Sequence, residues 1–352
     1  MNLSIIIPAG RPETARQTVA SILEQSFLPD DVQIILAGCG LDGLVRHFSD
    51  SRIQVVQLQN RCNPAETRIA GIKAAEREWY LFVDDDIKLD RLFLEKLSTI
   101  IAEGKNVGAV GARLPGSEKT YFSRVTDLTN FWSQQSVQTG ERDWLYSAVL
   151  AVPAAIYHKV GGFNPELAIG EDVDLTRRIK AAGYGVYYQA ELVGYHNHRR
   201  TTLMPTLSYF RQNGGLALYQ FKSNRQLRVW SAKHILRNSM ISLWNTIKLN
   251  RREVEKFYLY LPGIAMMYLV FFMSMEFHLN TYTTRFIKEG SYNDTLNDCA
   301  IGSFFLKNSL EDKRAGKNIR ALFSLAMAYV HENFLVVSFF LLIVLLFLLC
   351  LI

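Results

Sequence analysis

The chain has 352 residues, 49% of them hydrophobic and 20% charged, which is more than one average domain needs and enough for a packed core. Its net charge of +6 and pI of about 9.0 are a modest basic excess over this length. That excess does not argue for nucleic acid, which is not expected as a partner, and fits a protein working beside anionic lipid headgroups at least as well. The four cysteines, Cys39, Cys62, Cys299 and Cys350, form no CxxC pair, so neither a zinc site nor a disulfide framework is expected.

The first 200 residues alternate between strand-like and helix-like segments. Residues 3–7 are a short apolar run stopped by Pro8, which reads as a strand and not as a signal peptide. Residues 13–25 have helical spacing, with Ala15, Val19, Ile22 and Leu23 on one face. Strands are expected at 32–36, 53–58, 79–83 and 107–112, and helices at 64–75 and 91–103. Such alternation predicts βαβ units and a mostly parallel sheet with helices on both faces. Farther on, 160–165 is turn chemistry, a helix opens at Gly170-Glu171-Asp172 and runs to about Ala182, and 185–189 resumes as a strand. The polar, basic stretch Tyr195-His196-Asn197-His198-Arg199-Arg200 reads as a loop.

The most informative feature is Asp84-Asp85-Asp86, directly behind the apolar strand 79–83. In open α/β sheets ligands bind at the carboxyl edge of the strands. Packed carboxylates repel one another, and a hard divalent cation such as Mg2+ or Mn2+ relieves that repulsion and favours a phosphate-bearing substrate. The plainer reading is an Asp-rich loop capping the next helix. Likewise, acidic residues at the start of the 170–182 helix are favoured by its macrodipole whatever else they do.

Beyond residue 200 the character changes. Residues 206–333 are expected to be helical and membrane-proximal. Within them, 257–275 is an uncharged run interrupted by Pro262-Gly263, read as an interfacial or re-entrant segment, since basic residues flank both of its ends. Residues 334–352 are nineteen uncharged residues, long enough to cross a bilayer, and are expected to be a transmembrane helix.

In order and spacing these motifs resemble those of the inverting family 2 glycosyltransferases with the GT-A fold, over about residues 3–200. The resemblance rests on Ser4-Ile5-Ile6-Ile7-Pro8, Ser21 through Ser26, Asn60 through Gly71 with Arg68, Asp84-Asp85-Asp86 as a DxD-like motif, Gly161-Gly162-Phe163, Gly170-Glu171-Asp172, Arg178 and His196. It implies a GT-A domain over 1–205 that moves a sugar from a nucleotide-sugar donor to a hydroxyl of a membrane-associated, lipid-linked glycan. It implies Asp172 as the base and Glu171 beside it to orient the acceptor. It places Pro8, Ala9, Arg11, Asp42, Arg68, Asp84 and Asp85 on the donor side, and Asp84, Asp86 and His196 around Mn2+ or Mg2+. Nucleotide sugars are made in the cytosol, so the catalytic domain is expected to face it from a bacterial inner membrane. The chain departs from the family after the second strand, where Ala37-Gly38-Cys39-Gly40-Leu41-Asp42 retains only Asp42 of the acidic residues that read the nucleobase. Arg199 and Arg200 are candidate diphosphate clamps. Trp132, Trp144 and Tyr146 are core residues or a sugar-stacking surface. Two other readings stay open: a nucleotidyl- or phosphosugar-transferase, and a non-catalytic membrane scaffold of a glycan-assembly complex.

Overall fold

A computed structural model describes residues 1–223 and 241–271, apart from 46–47, 61, 105, 168–169, 242, 249–250, 252–253 and 255. The proposed transmembrane helix at 334–352 lies outside the described residues. Among the described residues no helix is long and apolar enough to cross a membrane. The described residues pack as two units, the first within 1–206 and 246–257, the second within 207–223, 241–245 and 258–271.

The first unit is built on nine strands: β1 (Leu3–Pro8), β2 (Gln33–Gly38), β3 (Ile53–Gln57), β4 (Trp79–Val83), β5 (Ile87–Leu89), β6 (Val107–Arg113), β7 (Gly140–Glu141), β8 (Val149–Pro153) and β9 (Gly185–His196). Its helices are α1 (Pro12–Leu23), α2 (Asp42–Val45), α3 (Pro64–Ile72), α4 (Phe93–Glu103), α5 (Tyr121–Asn130), α6 (Ala154–Lys159), α7 (Glu171–Ala181) and the start of α8 (Leu203–Ser223). The strands form one sheet in the order β3-β2-β1-β4-β8-β6-β9-β5, with β7 paired to β9.

The sheet has two faces, and the sequence period assigns side chains to them. In β1, Leu3, Ile5 and Ile7 enter a core with α1 and α4, while Ile6 enters a second core with α3, α6 and α7. Strands buried on both faces read as unbroken apolar runs, as β1 and β4 do. Proline stands at the first helical position of α1 and of α3, where a missing N–H costs nothing. Asn63 and Glu66 complete a capping box on α3.

The expected mostly parallel sheet is corrected to a mixed one. β3, β2, β1 and β4 are parallel, but β8 runs antiparallel between β4 and β6, and β5 and β7 pair antiparallel with β9. The reversal places the start of β8 beside the end of β4, so that the Asp84 N–H donates to the Ala148 carbonyl at 2.9 Å. A second correction concerns the strand expected at 185–189. β9 continues to His196, with a register shift against β6 between Ala112 and Arg113, and its last residues pair with β5. The polarity of Tyr195 and His196 hides the end of the strand because its pairing partner, β5, comes from a distant part of the chain.

Farther along, 257–260 is a 3-10 turn, and in the second unit a helix runs from 261 through the last described residue, 271. Pro262 therefore falls in the first turn of a helix, where its ring fits without breaking a hydrogen bond. Residues 272–275 of the expected interfacial segment lie outside the described residues.

Candidate active site

Three strand ends meet at one edge of the sheet. After β1 the chain runs through Ala9-Gly10-Arg11, after β2 through Gly38-Cys39-Gly40, and after β4 through Asp84-Asp85-Asp86. The first two lie very close: a Cβ on Gly38 would stand 1.9 Å from the Ala9 carbonyl oxygen, so only glycine fits. Pro8 is half-buried at the end of β1 and Ala9 is buried, its N–H donating to the Ala37 carbonyl at 2.7 Å. Asp42 is exposed at the start of α2.

The three aspartates face different surroundings, although Asp85 and Asp86 share Arg11. Asp85 serves the loop after β1: its Oδ2 accepts the Gly10 and Arg11 N–H groups at 2.7 and 2.8 Å, and its Oδ1 accepts from the Arg11 guanidinium. Burial raises its pKa against the pull of Arg11. Asp84 turns toward α3, its Oδ1 accepting from Arg68 Nη2 at 2.6 Å. Asp86 turns toward β9. Its Oδ1 lies 3.2 Å from His196 Nε2, and its Oδ2 lies 2.8 Å from Arg11 Nη2. Burial pushes the Asp86 carboxyl up, but His196, Arg11 and Arg200 outweigh it and hold it well below the usual carboxylate range. For Arg11, burial opposes the charge, yet Asp86 and Asp85 outweigh that and raise its pKa.

Asp86 and His196 suit a divalent cation. The two facing atoms are close but not aligned as a hydrogen bond, and Asp86 Oδ1 is buried without a hydrogen-bond partner. Two ligands at ~2.1 Å and a right angle on one ion stand about 3 Å apart, close to the separation seen here. Among the described residues no three His, Cys, Asp or Glu side chains gather into a complete cage. The protein therefore offers two ligand atoms, a carboxylate oxygen and an imidazole nitrogen, which leave the rest of a cation's shell to water and substrate phosphates.

Arg68 joins the Asp84 end of β4 to α7. It is 3% exposed, and its Nη1 donates to Glu171 Oε1 at 2.7 Å while Nη2 holds Asp84. Its guanidinium also lies over the Phe163 ring, 5.6 Å from the centroid. Burial works against the Arg68 charge, and Asp84, Glu171 and Asp172 together raise its pKa regardless. One cation among three acids leaves the group acid-rich. Burial, and then the neighbouring Asp172, push Glu171 up to about 7.

Asp172 sits on the same first turn. Its Oδ2 accepts the Ser147 N–H at 3.0 Å, and its Oδ1 accepts the N–H of Val173 at 2.8 Å. The residue keeps some solvent contact although protein atoms crowd its carboxyl closely, and that burial raises its pKa, with the Ser147 N–H and Arg68 pulling the other way. Gly170 supplies the sharp entry to α7 in a left-handed conformation, φ 73°. Asp174 pairs with Arg178 at 2.6 Å, and Arg178 also donates to the carbonyls of Val160 and Gly162. Arg178 thus staples the Gly161-Gly162-Phe163 turn to α7.

The aromatic residues between the two carboxylate groups form one chain. Trp132 meets Trp144 at 5.9 Å, Trp144 meets Tyr146 at 4.8 Å, Tyr146 meets Phe131 at 5.2 Å, and Phe131 meets His196 at 4.8 Å, measured between ring centroids. All are edge-on contacts of the favourable kind. Ser147, whose backbone holds Asp172, carried no sequence signal at all; it is the position in the antiparallel turn before β8 that matters. The same holds for Asp127 and His198, a buried pair beside His196.

A model of glycosyltransferase-like family 2 matches residues 2–255. The chain belongs to that family. It is 24% identical over 259 residues to glycosyltransferase AglE of Haloferax volcanii, covering 69% of this chain and 79% of that one. It is 22% identical over 224 residues to the O-antigen chain rhamnosyltransferase RfbN of Salmonella typhimurium, covering 60% and 71%. The solved mannosyltransferase PcManGT of Pyrobaculum calidifontis, in complex with GDP-Man and Mn2+, overlays with a TM-score of 0.48 at 14% identity, covering 94% and 86%. The chain is thus a glycosyltransferase, with a mixed α/β sheet and flanking helices of GT-A type. The nucleotidyltransferase and scaffold readings give way to it.

Proposed function

We propose that this glycosyltransferase works by inversion, taking a sugar from a nucleotide-sugar donor with Mn2+ or Mg2+ and passing it to a hydroxyl of a membrane-associated, lipid-linked glycan. The observation that carries the mechanism is Asp172, a carboxylate with a raised pKa fixed by the Ser147 N–H at the head of α7. A general base works best when its pKa lies nearer the working pH than that of a free carboxylate. In the proposed step the acceptor hydroxyl gives its proton to Asp172 as its oxygen bonds to the anomeric carbon. The bond from that carbon to the diphosphate breaks, and a nucleoside diphosphate leaves with the electron pair. The bound cation would neutralise the charge developing on the leaving diphosphate. Asp86 and His196 would hold it, and Arg11, released from Asp86, would be free to pair with phosphate. Arg68 keeps Glu171 and Asp84 turned inward and so fixes the base's neighbourhood.

The membrane placement rests on the apolar run 334–352 and on exposed Trp244, Tyr258 and Leu259, side chains of the kind that membrane interfaces take up. The catalytic face would look into the cytosol, where the donor is made. A donor screen on detergent-purified protein, with Mn2+ or Mg2+ and release of nucleoside diphosphate as readout, tests the class. Asp172→Asn should abolish transfer while nucleotide binding persists; equal activity in that variant would remove Asp172 from the base role.

A further inference from the structure

β9 ends at His196, and the chain then makes a turn that leads to Arg200, whose charge acts on Asp86; a buried imidazole fixes that turn. His198 is 5% exposed, and its Nδ1 accepts the Arg200 N–H at 3.1 Å. A neutral ring that accepts at Nδ1 carries its proton on Nε2. Nε2 faces Oδ1 of Asp127, on α5, at 3.3 Å. Asp127 is 2% exposed and accepts the Gly116 N–H on its other oxygen at 3.0 Å. Gly116 in turn is bridged to His196, whose carbonyl accepts the Ser117 N–H at 3.0 Å. A Cβ on Gly116 would stand 3.0 Å from both Asp127 carboxylate oxygens, so the approach is tight. Arg199, inside the turn, is held at φ 58°, a left-handed conformation that side-chain-bearing residues rarely adopt. Such a conformation persists where the surroundings over-determine it.

We infer that Asp127 and His198 are positioning residues, which hold the turn that follows His196 and with it Arg200, and thereby shape the pocket for the donor's diphosphate. The inference rests on the glycosyltransferase mechanism proposed above. Neither residue touches the donor; both act through the turn. Asp127 reaches it on one side through Gly116 and on the other through His198, so one carboxylate ties α5 to both strand ends. Three backbone hydrogen bonds hold His196 and Asn197 independently, from His196 N–H to Pro115, from Ser117 N–H to His196, and from Asn197 N–H to Asp86. The pair's special contribution is therefore to the residues beyond, Arg200 above all.

The test is Asp127→Asn, with His198→Gln as the second variant. The carboxamide keeps the volume of Asp127, but once its oxygen serves Gly116 its NH2 group meets Nε2–H, donor against donor. In His198→Gln the new side chain can still donate to Asp127 but cannot accept the Arg200 N–H from the same place. The readout is the affinity of the Mn2+-supplemented protein for UDP and for GDP by calorimetry, alongside the thermal midpoint. Both variants should bind the preferred nucleotide at least tenfold more weakly at a temperature where their far-ultraviolet spectra match the wild type. Variants that lose thermal stability yet bind with wild-type affinity would overturn the inference, leaving the pair a packing element. If Asp127→Asn does not fold, His198→Gln decides alone. A wild-type protein that binds neither nucleotide would refute the functional reading itself, whereas wild-type binding with unchanged variants refutes the positioning role alone.

Discussion

Arg68 is the residue whose loss should be felt most widely, and the structure sets the size of the effect. Arg68→Met keeps an unbranched apolar stem, though not the full reach of the side chain, and removes two charge-assisted hydrogen bonds, of 2.6 and 2.7 Å. Each such bond contributes ~1.5–3 kcal/mol, and stranding a buried partner costs ~3–5 kcal/mol in all. That range is already net of the relief from burying the guanidinium and of the hydration that Asp84, whose side chain is 29% exposed, recovers. A net loss of ~3–5 kcal/mol at pH 8 is expected for the catalytic unit. For a unit of this size that lowers the thermal midpoint by roughly 6–20 °C.

The pH dependence separates this account from simple loss of packing. Glu171 already has a pKa raised to about 7, and removing Arg68 takes away the charge that holds its proton affinity down. In the variant the folded state therefore holds more protons than the wild type does near neutrality. Its stability deficit shrinks as the pH falls and grows as the pH rises. At pH 5.5, where Glu171 is mostly neutral, the deficit should fall to ~1–2 kcal/mol, the scale of ordinary hydrogen bonds. Thermal unfolding of both proteins at pH 5.5 and pH 8 measures it. An equal fall in midpoint at the two pH values would refute the charge account and leave Arg68 as packing against Phe163. Adding Glu171→Gln to the variant should recover part of the loss at pH 8 and almost none at pH 5.5.

Three further outcomes follow from the same geometry. Glu171→Gln removes a negative neighbour of Asp172, so the acidic limb of the kcat/KM profile should move to lower pH; a shift to higher pH, or none, would separate the two carboxylates electrically. In the wild type the raised pKa of Glu171 adds stability that is fully present below its unfolded value and is lost as the pH rises through about 7, which a series of denaturant midpoints from pH 4 to 8 will show as a downward slope near neutrality. Gly38→Ala drives a methyl group into the Ala9 carbonyl, an overpacking that costs ~1–3 kcal/mol, and should weaken nucleotide binding as the strand ends part; unaltered nucleotide affinity would place the donor away from that edge.

Much of the site was readable from local pattern, and the reason is visible at particular residues. β1 and β4 are buried on both faces, so their apolar runs stand out, and Asp84, Asp85 and Asp86 follow β4 directly. Gly170-Glu171-Asp172 was legible because a helix start has its own chemistry. What pattern could not divide was the triplet itself: three consecutive carboxylates point at α1, α3 and β9, and only the tertiary positions of Arg11, Arg68 and His196 tell them apart. The end of β9 was hidden for a similar reason. Its polar residues look like a loop until β5, 87 positions into the chain, is seen to pair with them.

The antiparallel insertion explains why the two halves of the site must be read together. In a fully parallel sheet the strand beside β4 would begin at the opposite edge, far from Asp84. Because β8 is reversed, the turn that leads into it lies against the Asp84 backbone and presents the Ser147 N–H to Asp172. Arg68 then closes the loop from the other side, tying Asp84 to Glu171 on the same helical turn as Asp172. A displacement at Asp84 is thus carried to Asp172, the proposed base, through one backbone turn and one guanidinium. If that coupling is real, nucleotide binding and the pKa of Asp172 are linked: binding that draws Asp84 toward or away from Arg68 must change the acidic limb of the rate profile between kcat/KM, which reports the free enzyme, and kcat, which reports the complex. Arg68→Met should abolish that difference, and a difference that survives the substitution would show that the two sides communicate by another route.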